Sequence, residues 1–371
     1  MIKYKNIYVA ATNQHVGKTT STLGLVSSIL QKNINVGYCK PVGQKFLDLK
    51  NLYVDKDTLL FADLIKFEIN PDYHSPVVLP GKVVRDFISE PKNLDFYDRV
   101  ANASKVLNKY HELTIFEGTG HPGVGSVVGL SNAEVAHALD AAVVMIVEGG
   151  IGSTIDMFHM CSAVFEKRGV PIIGVIINKI RPDKMEQVKF YLSRYFGSID
   201  VPVLGYVPYD KNLAHPLMST VCNSIKGVVA ANSHCLYTNR VENILSGSSV
   251  DLKELKEYRN NLIVTSARTM DRAVSRVDNF ATANDLPQSS VSGVIVTGEG
   301  DISQEVIDFV NKYDVPLIRT IFDTFGVVIN ISKIEVKINR QTPWKIQRAI
   351  ELISKNVDLN KILIPADKSH S

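Results

Sequence analysis

The sequence predicts an α/β protein, a parallel sheet with helices on both faces, followed by a second, smaller α/β domain. Three observations carry this. The chain has 371 residues, more than one hydrophobic core usually organises. Across the first 210 residues, short β-branched runs alternate with helical patterns, the sign of βαβ units and a sheet buried on both sides. After Pro208 the pattern loosens, and a new alternation of strands and helices begins near residue 262.

In chain order, strands are expected at 7–11, 36–40, 113–116, 142–147, 172–177 and 203–207, each apolar and bounded by polar residues. Ser131 with Glu134, and Ser153 with Asp156, fit the capping pattern that satisfies free amides at a helix start, so helices should begin near 132 and 154. Residues 246–249 (SGSS) read as a surface turn or hinge. Beyond it, 262–265, 291–296 and 315–318 read as strands. Ser303 is placed to cap a helix through Tyr313, and Thr342-Pro343 puts a cap residue before a proline at the first helical position. The expected domains are 1–213 and 214–365, with the start of the second open between about 210 and 260 and a mobile tail over 366–371.

Composition narrows the function classes. The hydrophobic fraction is 45%, the charged fraction 21% and the formal net charge +3, with lysines and arginines scattered, which leaves no electrostatic footprint for nucleic acid. No apolar run approaches the ~18 residues of a membrane span, and the run after Lys5 is too short for a signal-peptide core. Cys39, Cys161, Cys222 and Cys235 have no metal-ligand spacing and read as buried thiols in a reducing compartment, so the expected location is the cytoplasm.

Chemistry concentrates at residues 11–20, ATNQHVGKTT, which follow a strand and open a helix with Leu23, Val26, Ile29 and Leu30 on one side. A helix N-terminus offers unpaired amides and a positive dipole end to an anion, and Gly17 lets backbone approach closely. Lys18 supplies charge to β/γ phosphates, and Thr19 a hydroxyl to magnesium. This is a phosphate-binding loop, although Thr12 stands where GxxxxGK[ST] has its first glycine. Glu117 ends its strand at the carboxyl edge of the sheet, where ligands bind in such folds, and is the better placed metal ligand. Asp55 and Asp57 are the second candidates, with a solvated pair or a helix cap at Asp57 as the alternative. Asn178-Lys179 resembles the base-reading signature of GTPases, but Arg181 occupies the place of the guanine-specific aspartate and Asp183 comes too late. Guanine is thereby disfavoured. Asn178 is either an adenine contact or a polar strand end.

At these residues the chain resembles the dethiobiotin synthetase-like branch of P-loop NTPases, which includes cobyrinate diamide synthase and the N-terminal domain of long phosphate acetyltransferases. The resemblance rests on the loop ending Val16-Gly17-Lys18-Thr19, on Lys40-Pro41, on Glu117-Gly118 and on Val207-Pro208. It implies ATP and Mg2+ as cofactors, with Asn13, His15, Val16, Gly17, Lys18, Thr19, Thr20, Asn178 and Pro208 around the nucleotide. Thr19, Glu117 and one acid of Asp55 or Asp57, with Asp57 favoured, would hold magnesium. Lys18 and Lys40 would act on phosphates or on an acyl-phosphate-forming carboxylate.

The departures from dethiobiotin synthetase are His15 in place of an acid, Gly43-Gln44 after the lysine-proline pair, and Thr119-Gly120-His121 after Glu117-Gly118. His121 is placed to point into the same crevice. The second half resembles a DRTGG domain through Arg268 to Arg272, Thr297 to Gly300 and Phe322 to Phe325, a module taken as regulatory or ligand-binding. Neither a glutamine-amidotransferase nor an acetyltransferase catalytic domain follows. The resemblance implies an unidentified small molecule, a homodimer and, for a nucleotide-gated sensor, a metabolic enzyme such as an acetyltransferase as partners. Neither nucleic acid nor membrane is expected.

Overall fold

The computed structural model describes residues 2–44, 46–48, 53–90, 95–246, 255, 259–334 and 336–364. The chain forms two compact units, Met1–Asp210 together with Ile338–Ser371, and Lys211–Lys337.

In the first unit, strands β1 (Asn6–Ala11), β2 (Val36–Cys39), β3 (Leu113–Glu117), β4 (Ala142–Glu148), β5 (Ile172–Ile180) and β6 (Val203–Pro208) form an all-parallel sheet in the order β6-β5-β4-β1-β3-β2. Each falls on an expected run, because a strand buried on both faces needs continuous apolar sequence. The central position of β1 between β3 and β4 puts its carboxyl end in the middle of the sheet edge. There it runs into helix α1 (Lys18–Leu30), whose Leu23, Val26 and Ile29 are buried. Helices α2 (Lys56–Ile65), α3 (Gly152–Glu166) and α4 (Met185–Ser198) follow. Phe158 and Phe165 of α3 and Leu192 and Phe196 of α4 join Met145, Val147 and Ile177 in one core.

Ser131 does accept from the Glu134 amide at the start of the helix Asn132–Ala138. Ser153 does not cap α3. That helix starts at Gly152, and the Thr154 hydroxyl instead donates to the Glu148 carbonyl at 2.7 Å, tying the helix start to β4.

The second unit holds β7 (Val228–Ala231), β8 (Asn243–Ser246), β9 (Asn261–Ser266), β10 (Val291–Thr297) and β11 (Leu317–Thr320) in the order β7-β11-β10-β9-β8, with β7 antiparallel to β11 and the rest parallel. Helix α5 (Met270–Ala283) links β9 to β10, α6 (Gln304–Tyr313) links β10 to β11, and α7 (Thr324–Ser332) follows β11. Ser303 caps α6 as expected, accepting from the Val306 amide. Residues 247–249 of the expected hinge and the tail from 366 lie outside the described residues.

The expectation that the second domain runs to 365 is corrected at its end. Helix α8 (Pro343–Asn356) starts at Pro343 as Thr342-Pro343 predicts, but it packs on α1 of the first unit. Gly24 permits this approach, since a Cβ there would lie 2.2 Å from Cβ of Ile353. Gly205 of β6 bridges Val357, and the Asp358 amide donates to the Leu204 carbonyl at 2.8 Å. Gly24→Ala should therefore destabilise the protein by about 1–3 kcal/mol, the cost of overpacking a filled contact. In denaturant titrations Ile353→Ala should recover part of that loss in the double variant. Additive losses would show that the two residues do not share the contact.

His74 gives the first unit a pH dependence. Its ring is buried and accepts the Asn70 amide on Nδ1 at 3.0 Å. Burial, with a smaller contribution from His111, pushes its pKa down from the ordinary 6.5 to about 4. The folded state thus holds His74 neutral while the unfolded chain takes up a proton. The stability this provides is complete above pH 6.5 and is lost as pH falls towards 4, at up to about 1.4 kcal/mol per pH unit. His74→Gln should flatten the profile of denaturation midpoints across that window; an unchanged slope would assign it to other groups.

Candidate functional site

The site is built where β1, β3 and β5 end on one edge of the sheet. Thr12 opens the loop without needing glycine. Its φ is negative, its amide donates to the Ile146 carbonyl at 3.1 Å, and its own carbonyl accepts from Cys161 Sγ at 3.5 Å. The unusual backbone lies further on. His15 has φ 61° at the exposed apex, and Gly17 has φ 106°, a region that costs side chains with a Cβ. A Cβ on Gly17 would also stand 2.2 Å from the Asn178 Nδ2 atom. Asn13 turns its carboxamide oxygen onto the Gln14 amide at 2.7 Å, Val16 is buried beneath the loop, and Thr20 lies in the first turn of α1.

Lys18 reaches back from the start of α1 across the loop, donating to the carbonyls of Asn13 at 3.4 Å and Gly120 at 2.5 Å. Thr19 donates through Oγ1 to Glu117 Oε1 at 2.9 Å. Glu117 is 1% exposed and also accepts from Lys40 Nζ at 3.1 Å and from the Tyr38 hydroxyl at 3.3 Å. Lys40, 5% exposed, further contacts the Gly118 carbonyl at 3.1 Å and Asp57 Oδ2 at 3.0 Å. Burial alone would lower the Lys40 pKa, but Glu117, Asp57 and Asp55 around it raise it, so the ammonium form is held firmly. Burial raises the Glu117 carboxyl above its ordinary range, and Lys40 opposes that rise. Thr19, Lys40, Glu117 and Asp57 thus form one connected cluster.

Asp55, not Asp57, is the helix cap. It sits before α2, is buried, and accepts the Asp57 amide at 2.9 Å. Burial raises its pKa. Asp57 is left in the first turn of α2, facing Lys40.

Asn178 is 3% exposed at the end of β5 and donates through Nδ2 to the Val16 carbonyl at 2.7 Å, holding the strand end to the phosphate-binding loop. Pro208 ends the neighbouring strand in register with Ile180, and the Tyr209 amide donates to the Ile180 carbonyl at 2.7 Å. Arg181 and Asp183 pair with each other at the surface, 2.8 Å apart. His121 is exposed and its Nδ1 accepts the Gly123 amide at 3.2 Å within its own turn.

Asn132 and Tyr8 escaped the sequence reading. Asn132 Oδ1 accepts the Tyr8 hydroxyl at 2.6 Å and the Thr119 amide at 3.1 Å, while Nδ2 donates to the carbonyls of Thr119 and His121. Gly118 leaves room for this clamp, because a Cβ there would meet Asn132 Oδ1 at 2.4 Å. The loop that carries Glu117 and receives Lys18 is therefore fixed by a residue that in sequence looks like ordinary helix-start polarity.

A parallel sheet whose central strand passes through a Gly-Lys-Thr loop into a helix, with a buried carboxylate on the adjacent strand bonded to the loop threonine, defines a P-loop NTPase. The donors beside the loop threonine are all oxygen, a set suited to a hard divalent cation such as magnesium. The chain belongs to the AAA-domain family, whose model matches residues 5–216, and a DRTGG-domain model matches residues 222–334. It is similar to the phosphate acetyltransferase of Synechocystis sp., with 19% identity over 366 residues covering 96% of this chain and 51% of that protein. It is also similar to the ATP-dependent dethiobiotin synthetase of Nitrosopumilus maritimus, with 25% identity over 227 residues covering 58% of this chain and 94% of that protein. The chain spans about half the length of the phosphate acetyltransferase. Among solved structures, the MinD cell division protein of Aquifex aeolicus aligns with a TM-score of 0.39 at 12% identity, over 57% of this chain and 84% of that chain. No helix among the described residues is long and apolar enough to cross a membrane.

Proposed function

We propose that the first unit binds ATP with magnesium and transfers the terminal phosphoryl group to a carboxylate or carbamate, which a nucleophile then attacks. The observation that supports it most is the cluster of Thr19 and Asp57 around the buried Lys40–Glu117 pair, directly beside the loop lysine. Thr19, Glu117 and Asp57 would hold the magnesium ion, which neutralises charge on the phosphate oxygens. Lys18 and the amides at the start of α1 hold the phosphates, and Gly17 allows close approach. Lys40 positions Glu117 and Asp57 and supplies positive charge for an anionic second substrate. Asn178 and Pro208 flank the base, with Asn178 also fixing the loop through Val16. The testing measurement is ADP release by the purified protein with Mg-ATP and a panel of small carboxylates and diamines. Turnover that depends on one of them is the expected result, and none across the panel would overturn it. Turnover selective for the diamine of dethiobiotin synthetase would assign that reaction.

A second reading has its own support. Similarity to the phosphate acetyltransferase runs through both units, whereas similarity to dethiobiotin synthetase covers little more than the first. In this reading the nucleotide gates the second unit or a partner such as a metabolic acetyltransferase, from within a cytoplasmic homodimer. ATP should then change the association state in sedimentation experiments with negligible turnover. Binding that leaves sedimentation unchanged would remove it.

A further inference from the structure

The second unit carries a cluster that the nucleotide site does not use. His234 and Cys235 lie in the short 3-10 helix Ser233–Tyr237, and Asp314 follows the end of α6 with φ 51°. Asp314 Oδ1 stands 3.1 Å from His234 Nε2 and 3.4 Å from Cys235 Sγ, and one ligand atom from each residue lies within 4.8 Å of the other two. A tetrahedral ion bound at the usual zinc distances places nitrogen, oxygen and sulfur ligands about 3.3–3.7 Å apart along its edges. The two shortest separations are therefore close to the edges of such a site. We propose that His234, Cys235 and Asp314 bind a zinc-type divalent cation.

The scaffold beneath them is fixed without any ion. Asn232 Nδ2 donates to the carbonyls of Val310 at 3.2 Å and Val315 at 3.1 Å and to Asn311 Oδ1 at 3.2 Å, and Asn239 Nδ2 donates to the Asp314 carbonyl at 3.4 Å. Both ends of the segment bearing His234 and Cys235 are thus clamped to the end of α6. The mixed nitrogen, sulfur and oxygen set selects a borderline ion over magnesium or calcium, which favour oxygen alone. Cys235 is buried, while the side chains of His234 and Asp314 are each 68% exposed. The exposed side leaves a fourth position open to water. Binding converts the Cys235 thiol to a thiolate, and its proton passes to solvent.

Cobalt(II) tests this on the full chain, because the oxygen ligands of the P-loop site give no thiolate-to-cobalt charge-transfer band. One equivalent per chain should give that band with the visible spectrum of tetrahedral cobalt, and zinc should displace it. Cys235→Ser should abolish the band, and His234→Ala should weaken binding about 10-fold or more, at least the cost of losing a supporting contact. No band at excess cobalt, or a band that persists in Cys235→Ser, overturns the site. His234 is exposed, so His234→Ala should fold normally. Zinc should raise the unfolding temperature of the parent chain more than that of this variant, and an equal rise in both would also overturn it.

Discussion

Lys40→Met is expected to lower the free energy of unfolding by about 3–5 kcal/mol, the range for removing one partner of a buried ion pair. Met fills the volume but leaves the Glu117 carboxylate, 1% exposed, and Asp57 without their ammonium neighbour. The Gly118 carbonyl loses its donor as well. Equilibrium unfolding in urea measures the loss, and Glu117→Gln in the same background should recover part of it, because the variant carboxamide no longer brings a buried charge. A loss below about 1 kcal/mol would mean that Lys40 is solvated and the cluster open. Any phosphoryl transfer should vanish in the same variant, but this arm depends on the enzymatic reading and the stability arm does not.

Lys18→Ala is expected to separate binding from folding. Lys18 is half-buried and donates to the loop carbonyls of Asn13 and Gly120. Stability should fall by about 1 kcal/mol, the usual effect of a point substitution and less than for Lys40→Met. Affinity for Mg-ATP should fall about 100-fold or more, since charge-assisted bonds to phosphate contribute about 1.5–3 kcal/mol each. Isothermal titration of the parent and variant chains gives the comparison. Equal affinity would deny the loop its phosphate role, and with it both readings of the function.

The loop and the sheet were legible because their signals are local. Gly17-Lys18-Thr19 sits between a strand and a helix that can each be read from a few neighbouring residues, and Glu117 marks a strand end by itself. Even the mismatch at Thr12 has a physical account, since its φ is negative and only later residues need the left-handed region. What sequence periodicity cannot carry is partnership at a distance. Asn132 follows a correctly read cap, but its role depends on Tyr8 and Thr119, which only the fold brings near. The edge strands β7 (VVAA) and β8 (NILS) are only four residues long and largely unburied, too short to stand out as a strand pattern, so the stretch from 228 to 245 looked merely loose. The sequence favours Asp57 over Asp55 for the metal but also offers it as the cap, and only α2 separates the roles, with Asp55 as its cap and Asp57 turned to Lys40. The periodicity of α8 announces a helix but cannot say which core receives it.

That helix has a consequence for how the protein is made. The contact between Gly24 and Ile353 joins residues more than three hundred positions apart, with the whole of Lys211–Lys337 synthesised between them. At the pace of translation, α1 waits on the order of half a minute for its cover. During that interval the flank of the helix that opens at Lys18 has no α8 against it, and residues 211–337 have time to fold first. In a ribosome-bound chain arrested after Lys337, the amides of α1 should accordingly exchange hydrogen faster, and release of the remaining residues should slow them.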